Sequence, residues 1–165
     1  MLCFHDVSVL SVAGQQRIRQ AMTETPVAFF ATLSSHILHE GQNQPIAFDR
    51  VVTNVGNAYN PHVGLFAAPV SGIYVFSVSL LSYPGHTTHY DFFKNNEFIS
   101  AIYLHTPGAG QYESTSQTVV LQLTKGDDVT LRNSYSDEIV HGHNHTTFAG
   151  FLLWQDFNQP SVVGK

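Results

Sequence analysis

The sequence predicts an all-β sandwich of two antiparallel sheets. Three observations carry this. Val, Phe, Tyr and Thr recur in short runs, with 12 Phe and 7 Tyr in 165 residues, and these residue types suit a pleated, half-buried surface. Several of those runs alternate apolar and other residues with period two. Clusters of Gly, Pro, Asn and Asp break them at close intervals, and no stretch has a strong helical period. At this length there is room for one domain with a sizeable core.

In chain order, residues 1–24 read apart from the rest, as a tail or the stub of an oligomerising stalk. Within them GQQRIRQAM can form a short helix with Ile18, Ala21 and Met22 near one face, but has too few turns for a coiled coil. The domain is expected over 25–155, with a tail over 156–165. VAFFATL, 27–33, is the first strand. SHILHEGQNQ is a polar loop, and PIAFDRVV, 45–52, a short strand or extended segment. Thr53 to Pro61 is rich in Asn and Gly and reads as a loop with a short strand piece around Ala58–Tyr59. Val63 to Ala68 is a strand, followed by a sharp turn at Pro69–Gly72.

The next strand is the most regular in the chain. Tyr74, Phe76, Val78 and Leu80 hang on one wall, while Val75 and Leu81 are apolar on the other, which predicts a central strand. His89–Phe93 pairs with Phe98–Leu104 across Lys94–Asn95–Asn96–Glu97, where Asn tolerates left-handed backbone. Glu113–Thr124 is a long strand, and Val129 and Leu131 mark another. NSYSDEIVHGHNH, 133–145, is a polar, His-rich excursion. In the last strand, 146–154, Phe148, Gly150, Leu152 and Trp154 face one way and Ala149, Phe151 and Leu153 the other. With both walls apolar, one is expected to meet the core and the other a neighbouring subunit, the alternative being a monomer whose second wall is covered by residues 1–24. Eight or more short strands make a jelly roll a natural candidate, although periodicity alone does not separate it from an immunoglobulin-like sandwich.

Composition narrows the function. Lys plus Arg total 7 and the formal net charge is −5, so no basic field exists for nucleic acid or an anionic membrane. No apolar run is long enough to span a bilayer. Cys3 is the only cysteine, which rules out an intrachain disulfide and says nothing for or against secretion. The opening MLCFHDVSVLSVAG has no basic n-region and is a poor secretory signal. No nucleophile motif or phosphate-binding loop is present, and an enzyme is not expected.

Five stretches in order carry a resemblance: AFFATLS at 28–34, PIAFDRVVTN at 45–54, GNAYNPHVGLFAAPVSGIYVFSV at 56–78, LQLTKGDDVTL at 121–131 and TFAGFLL at 147–153. Over about residues 26–154 the chain resembles the globular head of the complement C1q family, which shares its fold with tumour necrosis factor. The family's structural aromatics and glycines fall on Phe29, Phe48, Tyr59, Gly64, Phe66, Pro69, Gly72, Tyr74, Phe76, Gly126, Phe148, Gly150 and Phe151. The resemblance implies a ten-stranded jelly roll, a tight homotrimer, secretion, and recognition of proteins, carbohydrates, lipids or microbial surfaces without catalysis. The absence of a Gly-x-y repeat resembles the short, stalk-less members of invertebrates such as bivalves, and argues against complement activation through a collagen stem.

The expected function is lectin-like recognition of carbohydrate or microbial-surface polysaccharide in innate immunity. The alternative is a protein-ligand or extracellular-matrix assembly module. Long polar loops at 34–44, 82–89, 105–111 and 133–145 would be repeated threefold on a trimer. Tyr83, Tyr103, Tyr112 and Tyr135 are available near them for stacking on sugars, beside His86 and His105. His141, His143 and His145, spaced i, i+2, i+4, share one side of an extended segment and suit zinc, with His86 and His89 able to approach from another loop. Asp127–Asp128 and Asp137–Glu138 are candidate calcium carboxylates, with Asp127 and Asp137 as ligands, and some family heads hold calcium near the trimer apex. No cofactor is required. Asn144–His145–Thr146 is a glycosylation acceptor sequence. Ten histidines predict that acidification to about pH 5.5 weakens ligand binding or alters assembly.

Overall fold

A computed structural model describes residues 25–38, 41–106, 108, 110–136 and 139–157. The expected N-terminal tail with its short helix, and the C-terminal tail beyond Phe157, lie outside the described residues. The strands are β1 (Ala28–Thr32), β2 (Arg50–Val55), β3 (Tyr59–Asn60), β4 (Leu65–Ala67), β5 (Gly72–Leu81), β6 (Thr87–Lys94), β7 (Glu97–His105), β8 (Ser114–Leu123), β9 (Asp128–Asn133) and β10 (Thr147–Gln155). They form two five-stranded antiparallel sheets, ordered β2-β1-β10-β5-β8 and β3-β4-β9-β6-β7. This is a ten-stranded jelly-roll sandwich, as the resemblance implies; the strand pattern alone predicts only the sandwich.

The period-two pattern places the core. β5 alternates buried and half-buried over its whole length, and Tyr74, Phe76, Val78 and Leu80 are all inside. Its position between β10 and β8 makes it an interior strand, one place from the middle strand β10, as suits a segment apolar on both walls. Between the sheets the aromatics pack ring to ring. Phe29 stacks on Tyr59 at 4.6 Å between centroids and meets Phe148 edge-on at 5.0 Å. Phe66 meets Phe76 edge-on at 5.0 Å. Each such buried ring contributes about 1.5–3 kcal/mol by leaving water, with about 0.5–1.5 kcal/mol more for a well-set aromatic pair.

The β6–β7 hairpin turns through Asn95 and Asn96, whose φ values of 49° and 66° are those of a tight turn matched to the strand twist. Its two amides do more than turn the chain. The Asn95 side chain donates to Asp127 at 2.8 Å and accepts from the Asp128 N–H at 2.9 Å, tying the hairpin to the start of β9.

Three sequence expectations are corrected. Residues 45–49 are not part of a strand, and β2 begins at Arg50 and runs into the stretch expected to be loop. The segment crosses between sheets instead: Pro45 bridges Arg132, the Ile46 N–H donates to the Leu131 carbonyl at 2.8 Å, and β2 then pairs with β1. Ile46 and Phe48 are fully buried; their alternation suits a core plug as well as a strand. Trp154 does not continue the inner face of β10. The register slips between Leu152 and Trp154, which leaves Trp154 49% exposed. Finally, the stretch 133–145 is not a wholly polar excursion, because Ile139 and Val140 are buried and Val140 bridges both Ile37 and Ser82.

Candidate functional site

The Val140 bridges fix what surrounds the Leu81 end of β5. The chain after β1 and the chain before β10 are held side by side there, with the Ile37 N–H donating to Val140 and the Val140 N–H to Ile37, at 3.1 and 3.2 Å. Just beyond, Gly142 to His145 is a reverse turn, closed by the His145 N–H on the Gly142 carbonyl at 3.2 Å. Its two central residues, His143 and Asn144, have φ of 54° and 67°. The expected extended run of His141, His143 and His145 is therefore not formed; the turn folds it back.

The turn gathers histidines by another route. One ring nitrogen from each of His36, His141 and His143 lies within 4.8 Å of the other two. The His36 ring is 4.3 Å from His141 and 4.5 Å from His143, centroid to centroid. His145 is exposed and 5.2 Å from His141 by ring centroid, outside that trio. Two hydrogen bonds set the protons. The backbone N–H of Gly142 donates to His36 Nδ1 at 3.0 Å. His141 Nδ1 lies 3.0 Å from the Gly142 carbonyl, which only accepts, so Nδ1 carries a hydrogen and, in the neutral ring, Nε2 has the lone pair. Burial first, then the neighbouring His141 and His143, hold His36 below its ordinary value of 6.5. An imidazole-preferring cation takes the neutral form of a ring, the form that this lowering favours at His36.

Tyr83 and Tyr112 border this cluster. Tyr83 lies 5.2 Å from His36, Tyr112 5.4 Å from His141, and His86 follows Tyr83 at 5.7 Å. Asn144 is exposed at the turn, its side-chain oxygen accepting from the Thr32 hydroxyl at 2.7 Å.

The other three candidate ligand residues lie elsewhere, on the solvent face of the sheet containing β6 and β7. Along β6, Thr87, His89, Asp91 and Phe93 face outward between buried Thr88, Tyr90 and Phe92. Tyr103 pairs with His89 across the ladder, their rings 4.6 Å apart, and Tyr135 meets His89 edge-on at 5.0 Å. His105 stacks parallel to Tyr103 at 6.2 Å, its Nδ1 2.8 Å from the Thr87 hydroxyl. Tyr103 and Tyr135 remain more than half exposed. The strip continues into a polar cleft of about 470 Å³ lined by Gln42, Asn43, Asp91, Phe93, Asn133 and Ser134. One Asp91 oxygen accepts from the Ser134 hydroxyl at 2.7 Å, and the Arg132 guanidinium lies 4.7 Å over the Phe93 ring.

The carboxylates do not join the histidines. Asp127 sits before β9, at the Gly72 end of β5, while the His141 N–H bonds Leu81 at the other end. Burial alone would raise the Asp127 carboxyl. The Asn95 amide, the Thr124 N–H and Lys94, 3.1 Å away, hold it low instead. Its oxygens thus serve the turn. Asp137 lies outside the described residues.

Sequence reasoning missed His36 and Asp91 as site residues. His36 stands 106 positions from Gly142, with which it bonds, and no local spacing signals that contact. Asp91 was legible only as an outward position of β6, once the hairpin register is known.

A further surface matters. One cross-strand row of the sheet containing β10 reads Val55, Ala28, Phe151, Val75, Val120, spanning all five strands in register. Every member is apolar, and Val55, Phe151 and Val120 are 44%, 45% and 61% exposed. Phe30 and Leu153 are exposed on the same sheet.

Comparison with known proteins agrees with this architecture. A family model for the C1q domain matches residues 28–153. The chain is 36% identical over 135 residues to complement C1q tumor necrosis factor-related protein 3 of Mus musculus, covering 80% of this chain and 53% of that protein. It is 34% identical over 135 residues to Caprin-2 of Danio rerio, covering 82% of this chain and 15% of that protein. The chain thus spans about half the length of the first relative, or less of the second. The globular domain of zebrafish complement 1qA superimposes with a TM-score of 0.62 at 19% identity, over 79% of this chain and 99% of that one. Eiger TNF from S. frugiperda gives 0.66 at 15% identity, over 83% and 99%. These two show the fold.

Proposed function

The chain belongs to the C1q domain family, and from that premise we propose that it is a secreted, trimeric, lectin-like recognition protein that binds carbohydrate or microbial-surface polysaccharide in innate immunity. Domains of this family are non-catalytic ligand-binding modules. The observation that carries the trimer is the five-strand apolar row through Phe151, of which Val55, Phe151 and Val120 stay exposed among the described residues. A second copy of the same sheet supplies the matching apolar surface. The number three comes from the family.

The ligand surface is the outer strip of Tyr103, His89 and Tyr135 with the cleft beside Asp91. Exposed aromatic faces next to carboxylate, amide and hydroxyl groups suit the apolar and polar sides of a sugar ring. Three copies per trimer would convert weak single contacts into avidity. The likeness to short bivalve-type members belongs to the same reading; no Gly-x-y repeat occurs in the 165 residues.

The test is a glycan array and a bacterial-polysaccharide pull-down with the untagged protein, beside the Tyr103→Ala/Tyr135→Ala variant. Binding that the variant loses supports the reading. Clean blanks in both assays move the surface to a protein-ligand or matrix-assembly role.

A further inference from the structure

The histidine cluster is separate from the outer strip, and its chemistry is different. Three imidazoles converge from two loops far apart in sequence, on a scaffold held by the Val140 bridges. In a tetrahedral zinc site with bonds of about 2.0–2.1 Å, ligand nitrogens stand about 3.4 Å apart. With one nitrogen per ring within 4.8 Å of the others, the trio needs a closure of at most roughly 1.4 Å per pair. His141 is already set, with Nδ1–H on the Gly142 carbonyl and Nε2 bare, the arrangement in which an outer hydrogen bond fixes a metal-binding tautomer.

His36 is not set. Its Nδ1 lone pair is used by the Gly142 N–H. A neutral imidazole with an accepting Nδ1 carries its hydrogen on Nε2, so neither nitrogen is free to ligate. To bind a cation through Nε2 the proton must move to Nδ1, and an Nδ1–H cannot face the Gly142 N–H. To bind through Nδ1, the cation must take the N–H's place. Either way the bond to Gly142 breaks.

We infer that His36, His141 and His143 form a site for one divalent, imidazole-preferring transition cation such as zinc, and that the cation competes with the Gly142 N–H for His36. Three protein ligands leave a position open to water or to an oxygen of a bound ligand. Calcium, which takes oxygen ligands, has no affinity for this donor set. Because the exchange is made inside the turn that carries His143, binding rearranges residues 141–145. The inference stands apart from the recognition reading and is tested with metal alone.

The experiment is calorimetric titration of zinc into metal-stripped, untagged full chain at neutral pH, with calcium in parallel. The variants are His36→Gln, His143→Gln and, as a control, the exposed His62→Gln. The expected result is one zinc per chain at micromolar affinity or tighter, no calcium heat, and at least about tenfold weaker binding in the first two variants only. His143 is exposed on a turn, so its variant keeps the fold and the test if the His36 variant does not. The competition is read from the Gly142 amide resonance, which is expected to shift on saturation with zinc. Equal affinity in the His143 and His62 variants, or several weak sites per chain, overturns the site. A saturable site with an unmoved Gly142 amide overturns the competition.

Discussion

Gly150 and Phe76 face each other in register across β10 and β5, and a Cβ on Gly150 would come within 2.5 Å of the Phe76 ring. The same Cβ would meet the Phe29 ring at 2.6 Å. The glycine is therefore the space that two core aromatics occupy. Gly150→Ala is expected to destabilise the domain by about 1–3 kcal/mol, as overpacking of a filled core does. Chemical denaturation gives the value; a change under half of that lower bound would show that the rings move aside.

Phe151, next in the chain, points the other way, into the exposed apolar row. Phe151→Asp puts a charge on that row without touching the core. The expected outcome is a particle of one-third the mass at micromolar concentration, with the circular dichroism of the native sheet retained. A wild-type chain that is already monomeric by light scattering would remove the trimer altogether.

The histidine cluster sets a pH dependence of known sign. Around His36 stand His141, His143 and Tyr83, with His145 beyond His141. Its folded pKa is lowered from 6.5 by burial and then by His141 and His143. Below 6.5 the unfolded chain therefore binds more protons at this position than the folded one. The stability it contributes is present above 6.5 and is lost as the pH falls through the lowered folded value. The midpoint of thermal unfolding of the metal-free protein is expected to drop between pH 7.5 and 5.5, and to drop less in His36→Gln. Equal drops in the two proteins would assign the effect to other groups.

Asp127 gives a second, lower window. Asn95, Thr124 and Lys94 together hold its carboxyl below 3.8 against the opposing effect of burial. The stability it contributes is present above 3.8 and is lost as the pH falls through the lowered value. Asp127→Asn is expected to cost about 1 kcal/mol near neutral pH, in line with a partly exposed pair plus a turn hydrogen bond. The difference from wild type should vanish under strongly acidic conditions. A neutral substitution at pH 7 would show that Asn95 alone holds the hairpin to β9.

The sandwich was legible because its information is local. The alternation through Tyr74, Phe76, Val78 and Leu80 needs only a two-residue period to declare an inner wall. Asn95–Asn96 declares its turn because few other residues tolerate left-handed backbone twice in succession. The apolar outer wall at Phe151 is equally a property of one strand. The segment around Ile46 and Phe48 misled for the same reason, since a crossing segment that drops alternate residues into the core has a strand's pattern without a strand's partners.

The site was legible only in part. Sequence spacing picked out His141, His143 and His145, but it could not say whether they lie along an extended segment or fold over a turn. The positive φ at His143 and Asn144 decides for the turn. Gly142 permits it, because a Cβ there would meet the Ser35 carbonyl at 2.0 Å. That contact, like the one that brings His36 beside His141, joins residues more than a hundred positions apart. By itself, then, the sequence determined most of the strands, the inner wall of β5 and the class of fold, which follow from interactions between near neighbours. Only the tertiary structure decided which loops share an end of the sandwich, because that depends on strand order, and strand order is settled by packing between segments that no local period connects.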